Sequence, residues 1–574
     1  MELRKIVDFP NTIIAIVVLF VHWPLLFSTS ILGDSIINYE LMMRNEHEAL
    51  FQFYLNYGLP IHGALLYLFS FLKPILFVHK LISFLSIYFI GIYMHKSLNL
   101  FKLFSHLQVL LIVTLCLTFP VFSIWTELTT QPYLVSYAFF WVGYYFLFKP
   151  KLKLLAFTQA PIQYALGLVF LSLSFQMYSL VFHFWGLYLI YIFVFHKKEI
   201  SIRNRINTVF KDWWILIFPL FVYIAIKLLT PALYQYNEIH ISLKRFVKNC
   251  IISLYGVFIE PLTYFINFIE RDFFSFLYIL GYSTLIVLAF LLLFKRISIN
   301  HQVKIHKVHI WSFVLLLFLS VLPYLLINKP IRGYAYESRH SLLLALPIAL
   351  LVFTCLNSIK RKNLQLLFMG FTLLVFSCIA FKNYVLWENR SIKIKSIAYH
   401  LNQMPELSSN PVFFYDRLYL GNEFKIKNIE LDFAIRQAWQ IKHKNALLLN
   451  KDFYTHIKRL YLKPIDWSEV LLIPWLKENA KDKEFAIDDE ILTKVQSYNT
   501  ENLGSKLDRT YLDLAISFTD LRKANNNVQS VAIVEISPSK AWQELRLFVS
   551  YTFGNVEEKE EILKSLINLN VHDV

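Results

Sequence analysis

The sequence predicts an all-helical, polytopic membrane domain over residues 1–384, followed by a soluble α+β domain over residues 385–574. Three observations carry this. The 574-residue chain is 56% hydrophobic with a mean hydropathy of +0.49, whereas soluble domains hold roughly 45–50% apolar residues even with glycine counted. Apolar runs approaching the roughly 20 residues that cross a bilayer as helix recur from Ile13 up to residue 382. The net charge of +16 is also unevenly placed: residues 384–574 hold 25 Lys+Arg and 26 Asp+Glu, leaving 31 and 14 for the apolar part. A basic excess confined to the hydrophobic part points to loop topology and away from nucleic acid, which needs a basic patch on a soluble face.

Arg4 and Lys5 precede the first apolar run, Ile13 to Leu32, and set a cytoplasmic N-terminus. That run is long for a signal peptide, and no small-x-small cleavage site follows it, so it reads as a retained span. The chain emerges at Gly33 and continues through a polar, helix-like segment to Tyr57. Gly58-Leu59-Pro60 breaks it, and Ile61 to Phe71 follows as an apolar helix too short to span, hence interfacial. Further spans are expected near 75–93, 107–124, 132–148, 161–178, 180–196, 213–230, 273–294, 310–328, 341–357 and 364–382, eleven in all.

Basic residues sort with this count. Inner loops hold Lys149, Lys151 and Lys153, then Lys197 to Lys211, Lys295 to Lys307, and Lys360 to Lys362. The outer turns at 125–131 and near Tyr178 hold none. Segments 231–272 and 329–340 depart from the rule, and 231–272 reads as amphipathic helices in the interface. An odd span count puts the C-terminal domain outside the cytoplasm. Within it, 411–415 and 530–536 read as strands, and 429–449 and 558–567 as helices. Cys116, Cys250, Cys355 and Cys378 form no CxxC pair, so neither a disulfide framework nor a zinc site is indicated.

The ends of the spans on the outer face carry the candidate chemistry. The first loop holds Asp34, Glu40, Arg44, Glu46, His47 and Glu48. The second holds Trp125, Glu127 and Gln131. Lys329, Arg332, Arg339 and His340 precede the tenth span. Carboxylates on one loop and guanidinium groups on another suit activation of an acceptor beside an anion. The planar fork of Arg can donate two bonds to phosphate, and partial desolvation raises the basicity of a carboxylate. Asp34 is equally placed to cap the helix that starts at Ser35, and Arg339 to anchor its span at the headgroups. Glu46 and Glu48 point about 200° apart on a helix, so with His47 they do not converge on a metal. His62 and His183 read as packed histidines.

Three stretches resemble the GT-C class of polytopic glycosyltransferases. Leu32-Gly33-Asp34-Ser35-Ile36-Ile37-Asn38-Tyr39-Glu40 is similar to their first outer loop, with an acidic residue directly after the first span. Tyr57-Gly58-Leu59-Pro60-Ile61-His62-Gly63 resembles their Gly/Pro turn into an interfacial helix. Glu337-Ser338-Arg339-His340-Ser341 running to Pro347 resembles their Arg-plus-aromatic motif opening a late span, with His340 where Tyr is commoner. The resemblance covers residues 1–380 and lies nearest to enzymes that decorate bacterial O-antigen or other envelope glycans.

It implies a polyprenyl-phosphate sugar donor, a glycan or lipid acceptor, inversion at the anomeric carbon and a bacterial inner-membrane location with a periplasmic C-terminal domain. Asp34 would be the base, with Glu40 in reserve. Arg339, Arg332 and Lys329 would hold the phosphate, while His340 and Glu127 would contact substrate. No cofactor is expected, and the missing Asp-x-Asp argues against a strong divalent-metal requirement.

Two rivals remain: an O-antigen polymerase or ligase, and a lipid-linked glycan transporter or flippase. The first usually carries its large soluble part between late spans. The second places charges in mid-span, whereas these spans read as nearly charge-free apart from Lys227. A reporter fused to the C-terminus is expected to be active only outside the cytoplasm; a cytoplasmic signal overturns the eleven-span topology.

Overall fold

The computed structural model describes residues 9–33, 35–120, 126–152, 157–192, 213–231, 243–295, 307–327, 329, 331, 336–408, 412–416, 430, 433–434, 437–438, 446–448, 486–487, 527–528, 532–538 and 543–573. The chain divides into two compact units. One comprises Met1–Ser28 with Asn38–Val385, and the other Thr29–Ile37 with Leu386–Val574.

The first unit is helical. Its elements are α1 (Phe9–Phe27), α2 (Ser35–Met43, which begins in the second unit), α3 (His47–Asn56), α4 (Pro60–Ser70), α5 (Ile75–Leu100), α6 (His106–Thr118), α7 (Gln131–Leu152), α8 (Pro161–Ser174), α9 (Tyr178–Ile190), α10 (Trp213–Leu229), α11 (Leu243–Phe258), α12 (Glu260–Arg271), α13 (Phe273–Lys295), α14 (Lys307–Leu326), α15 (Ala345–Asn357) and α16 (Lys362–Asn402). Residues of α16 from Leu386 onward belong to the second unit.

Among the described residues, five helices are long and apolar enough to cross a bilayer: Pro10–Phe27, Ile75–Leu100, Lys307–Leu326, His340–Asn357 and Asn363–Asn402. Leu243–Phe258 and Glu260–Arg271, bent by 42°, make a sixth if taken as one broken span. The remaining apolar runs also form helices, but several are short. The 13 residues of α6 reach only about 20 Å at 1.5 Å per residue, against a hydrocarbon core of roughly 30 Å.

Two expected spans end early for local reasons. The first helix stops at Phe27 and not at Leu32, because Ser28, Thr29 and Ser30 follow and Thr29 bonds away from the helix, to Glu388. The third stops at Thr118 because Phe119, the residue before Pro120, is extended (φ −59°, ψ 127°), as proline requires of its predecessor. At the other end of α6, Ser105 and Gln108 form a reciprocal capping box, which satisfies two of the free amides at its start.

Nearly every residue of α6 is buried, placing it at the centre of the first unit. There α1, α6 and α16 are tied by His22, whose ring nitrogens meet the Tyr384 hydroxyl at 2.8 Å and the Leu117 carbonyl at 2.9 Å. Helices α7 and α8 approach through glycine. A Cβ on Gly167 would lie 2.8 Å from the backbone nitrogen of Leu147, and one on Gly143 would lie 2.8 Å from that of Leu171.

The described part of the second unit contains both strands and helices. Strands β1 (Val412–Asp416), β2 (Ala446–Leu448), β5 (Ala532–Pro538) and β6 (Ile567–Asp573) form a sheet in the order β2-β1-β5-β6. β3 (Ala486–Ile487) and β4 (Asn527–Val528) pair separately. β1 runs parallel to β2 and β5, with Val412 opposite Ala446 and Ala532, and β5 runs antiparallel to β6. The expectation of helix over 429–449 fails at its end. Ala446–Leu448 pairs with β1, because a short apolar run takes its state from what it packs against. α17 (Glu544–Phe553) and α18 (Val556–Leu566) precede β6, and Asn555 caps α18 in a box with Glu558. In β6, Ile567 and Leu569 are buried while Asn568 is exposed, the period-2 alternation of a one-sided strand.

Gly167→Ala is expected to destabilise the protein by about 1–3 kcal/mol through overpacking, exceeding the roughly 1 kcal/mol helix-propensity gain. Gly281→Ala, where a Cβ meets nothing within 4 Å, is expected to be neutral or slightly stabilising. Paired unfolding curves in detergent check both.

Candidate functional site

Asp34 and Arg332 lie outside the described residues, as does Trp125. Arg339 falls in a 3-10 turn, Tyr336–Leu344, that leads into α15; its side chain is outside the description. Pro347 sits in the first turn of α15, where its missing N–H is tolerated. His340 is buried beside Tyr324, with ring centroids 4.6 Å apart. Lys329 is half-buried, and its backbone N–H donates to the Tyr324 carbonyl at 2.9 Å.

Glu40 is buried on α2, at 8% exposure. Glu127 is buried too, at 2% exposure, and its carbonyl accepts from both the amide and the hydroxyl of Thr130. Glu46 and Glu48 are exposed. His47 turns onto the Ser70 hydroxyl at 2.6 Å and packs on Phe71 with centroids 4.2 Å apart.

The first unit brings several of these segments together. Asn38 donates to the Tyr54 hydroxyl at 2.7 Å and to Thr129 Oγ1 at 3.4 Å, joining the first and second loops. Lys227 caps the Gly58 carbonyl of the Gly/Pro turn at 2.8 Å. The amide of His62, two residues past Pro60, donates to Gln176 Oε1 at 3.1 Å. Tyr178 contacts Tyr324, which in turn contacts His340. His183 is a packed histidine bonded to Ser320 at 2.9 Å.

Lys80 corrects the reading of charge-free spans. It lies in the second span, 1% exposed, donating to the Thr126 carbonyl and to Ser28 Oγ at 3.4 Å. Beside it, His79 and Gln131 bond reciprocally, ring to amide oxygen at 2.5 Å and amide nitrogen to carbonyl at 3.2 Å. The sequence signal was available, since Lys80 interrupts the apolar run 75–93. The sequence carried no signal of its partners, which come from 46 to 52 positions away.

In the second unit, the stretch after α1 is held from two sides. Thr29 donates to both carboxylate oxygens of Glu388, through its amide at 2.9 Å and through its hydroxyl. Lys395 reaches Thr29 Oγ1 at 2.6 Å. Gly33 donates its amide to Glu430 Oε1 at 3.1 Å, and Arg390 Nη2 bonds both oxygens of that carboxylate at 2.7 Å. These charged groups sit on the polar continuation of α16 and beyond it, where sequence reading assigned no function.

No protein-family model, curated protein or solved structure matches the chain.

His62 is fully buried on α4, between Tyr54 and Tyr133. Burial, reinforced by the charge of Lys227 and opposed by Gln176, lowers its imidazole from 6.5 to about 4. The ring stays neutral in the fold down to that pH, while the unfolded chain takes up its proton from about pH 6.5. The contribution is therefore complete above pH 6.5 and is lost as pH falls to 4, by about 3 kcal/mol. Thermal melts in detergent are expected to show a smaller loss between pH 7 and 4.5 for His62→Gln than for the native protein.

Proposed function

We propose that the protein is an inverting glycosyltransferase of the GT-C type, moving a sugar from a polyprenyl phosphate to a cell-envelope glycan or lipid. In this reading the chain crosses a bacterial inner membrane eleven times, and its C-terminal α+β domain lies in the periplasm. The observation that carries the reading is the chain order of three short segments, each leading into a helix. A Gly33 turn opens α2 as the next helix after α1, the Gly58-Pro60 turn opens α4, and the Arg339-His340 segment opens α15.

Asp34 takes the proton of the acceptor hydroxyl as its oxygen attacks the anomeric carbon. The bond from that carbon to the phosphate oxygen breaks on the opposite face. The leaving group is already a stable phosphate, so a single displacement needs no acid. Arg339, with Arg332 and Lys329, stabilises the charge developing on it. Glu127 and His340 contact donor or acceptor, and Glu40 is the reserve base.

A second reading, transport of a lipid-linked glycan, is favoured by Lys80. A buried cation within an apolar helix is a feature of substrate and ion pathways.

Asp34→Asn is expected to lower transfer by about 10²–10⁴-fold in membranes supplied with a polyprenyl-phosphate sugar, with normal protein levels. Retained transfer removes Asp34 as the base. Translocation without transfer in vesicles selects the second reading.

A further inference from the structure

The stretch Thr29–Ile37 belongs to the same compact unit as Leu386–Val574, although almost the whole of the first unit separates the two in sequence. Its anchors are charged and buried. Glu388 and Glu430 are fully buried and Arg390 is 7% exposed. Gly33 stands at φ +54°, a conformation that L side chains rarely adopt, and its carbonyl accepts the Ile36 amide at 3.2 Å as α2 begins. An amide in that turn has no strand or helix ladder to join. The Glu430 oxygen supplies its acceptor, and Arg390 Nη2, donating to both oxygens of that carboxylate, fixes it.

We propose that Arg390 and Glu430, with Glu388 and Lys395 on Thr29, are positioning residues: the C-terminal unit clamps the backbone immediately before Asp34 and so sets the geometry of the loop that carries it. The functional part of this rests on Asp34 being the catalytic base; the clamp itself rests on the geometry alone. It gives the C-terminal unit a task in the reaction without requiring it to touch sugar.

The test uses the full-length protein in nanodiscs and reads amide hydrogen exchange over residues 29–37 beside transfer kinetics. Arg390→Met combined with Glu430→Leu removes the acceptor without leaving a lone buried charge, and replacing both members of a buried pair by apolar groups is commonly tolerated. The expected result is faster exchange at Gly33, unchanged exchange in α5 and α7, and a fall in kcat of about 10²-fold at constant donor KM, the scale of a misplacement near 1 Å. Tyr399→Phe, at a half-buried position of α16 whose hydroxyl meets Glu560, is expected to leave both unchanged.

Should the double variant fail to accumulate, Thr29→Val removes the hydroxyl that joins Glu388 to Lys395 while keeping the amide bond to Glu388, and is expected to speed exchange across 29–33. Unchanged exchange in whichever of these variants accumulates overturns the clamp. Faster exchange with undiminished kcat overturns the positioning role. Asp34→Asn with full transfer instead removes the base assignment, and is told apart because the exchange measurement does not depend on turnover.

Discussion

Hydrocarbon offers no hydrogen-bond partner, so a polar group carried into the apolar part of this chain is costly unless it finds one within the protein. Several buried polar groups of the first unit meet that constraint with bonds between helices. His22 uses both ring nitrogens to join α1 to α6 and α16. His79 and Gln131 join α5 to α7, and His183 and Ser320 join α9 to α14. Lys80 holds the Thr126 carbonyl and Ser28. Apolar packing against lipid is nearly indifferent to which helix is the neighbour, because lipid tails are as apolar as leucine. Directional bonds and glycine-mediated close approach therefore carry much of the specificity.

This also accounts for the short helices. α6 is enclosed by protein along almost its whole length, so its backbone can end inside the bundle without meeting lipid. Non-helical backbone at its end, around Phe119 and Pro120, is tolerable for the same reason. Hydropathy windows measure composition and therefore found the apolar runs. They carry no information on whether a run faces lipid or other helices, and that is what separates a free-standing span from an enclosed helix.

The candidate site was only partly legible. The Gly/Pro turn at Gly58 and the short helix after it followed from residue types with fixed backbone preferences. His62 and His183 were recognisable as packed because they sit among apolar neighbours. The cluster Glu46-His47-Glu48 is set aside on helical geometry, whereas Glu46 precedes α3 as its N-cap residue and His47 is engaged with Ser70 and Phe71. Lys80 was visible as a letter but was passed over, since a lone lysine in an apolar run reveals no partner. The Arg390–Glu430 pair and its bond to Gly33 join residues up to 397 positions apart, and no local pattern encodes such a distance.

The sequence by itself determined the membrane-embedded, helical character of the chain and its change of composition near residue 384, because both follow from how many apolar side chains are present and at what spacing. It also determined some helix starts and stops, as at Pro60, Ser105, Pro120 and Asn555, through proline and capping residues acting on their own neighbours. Only the tertiary structure decided that Thr29–Ile37 belongs with the C-terminal unit, that 446–448 is a strand, and that Lys80 is buried. Each of these is fixed by a partner far away in the chain, and a hydrogen bond or ion pair of that kind exists only once the chain has folded to bring the two ends together.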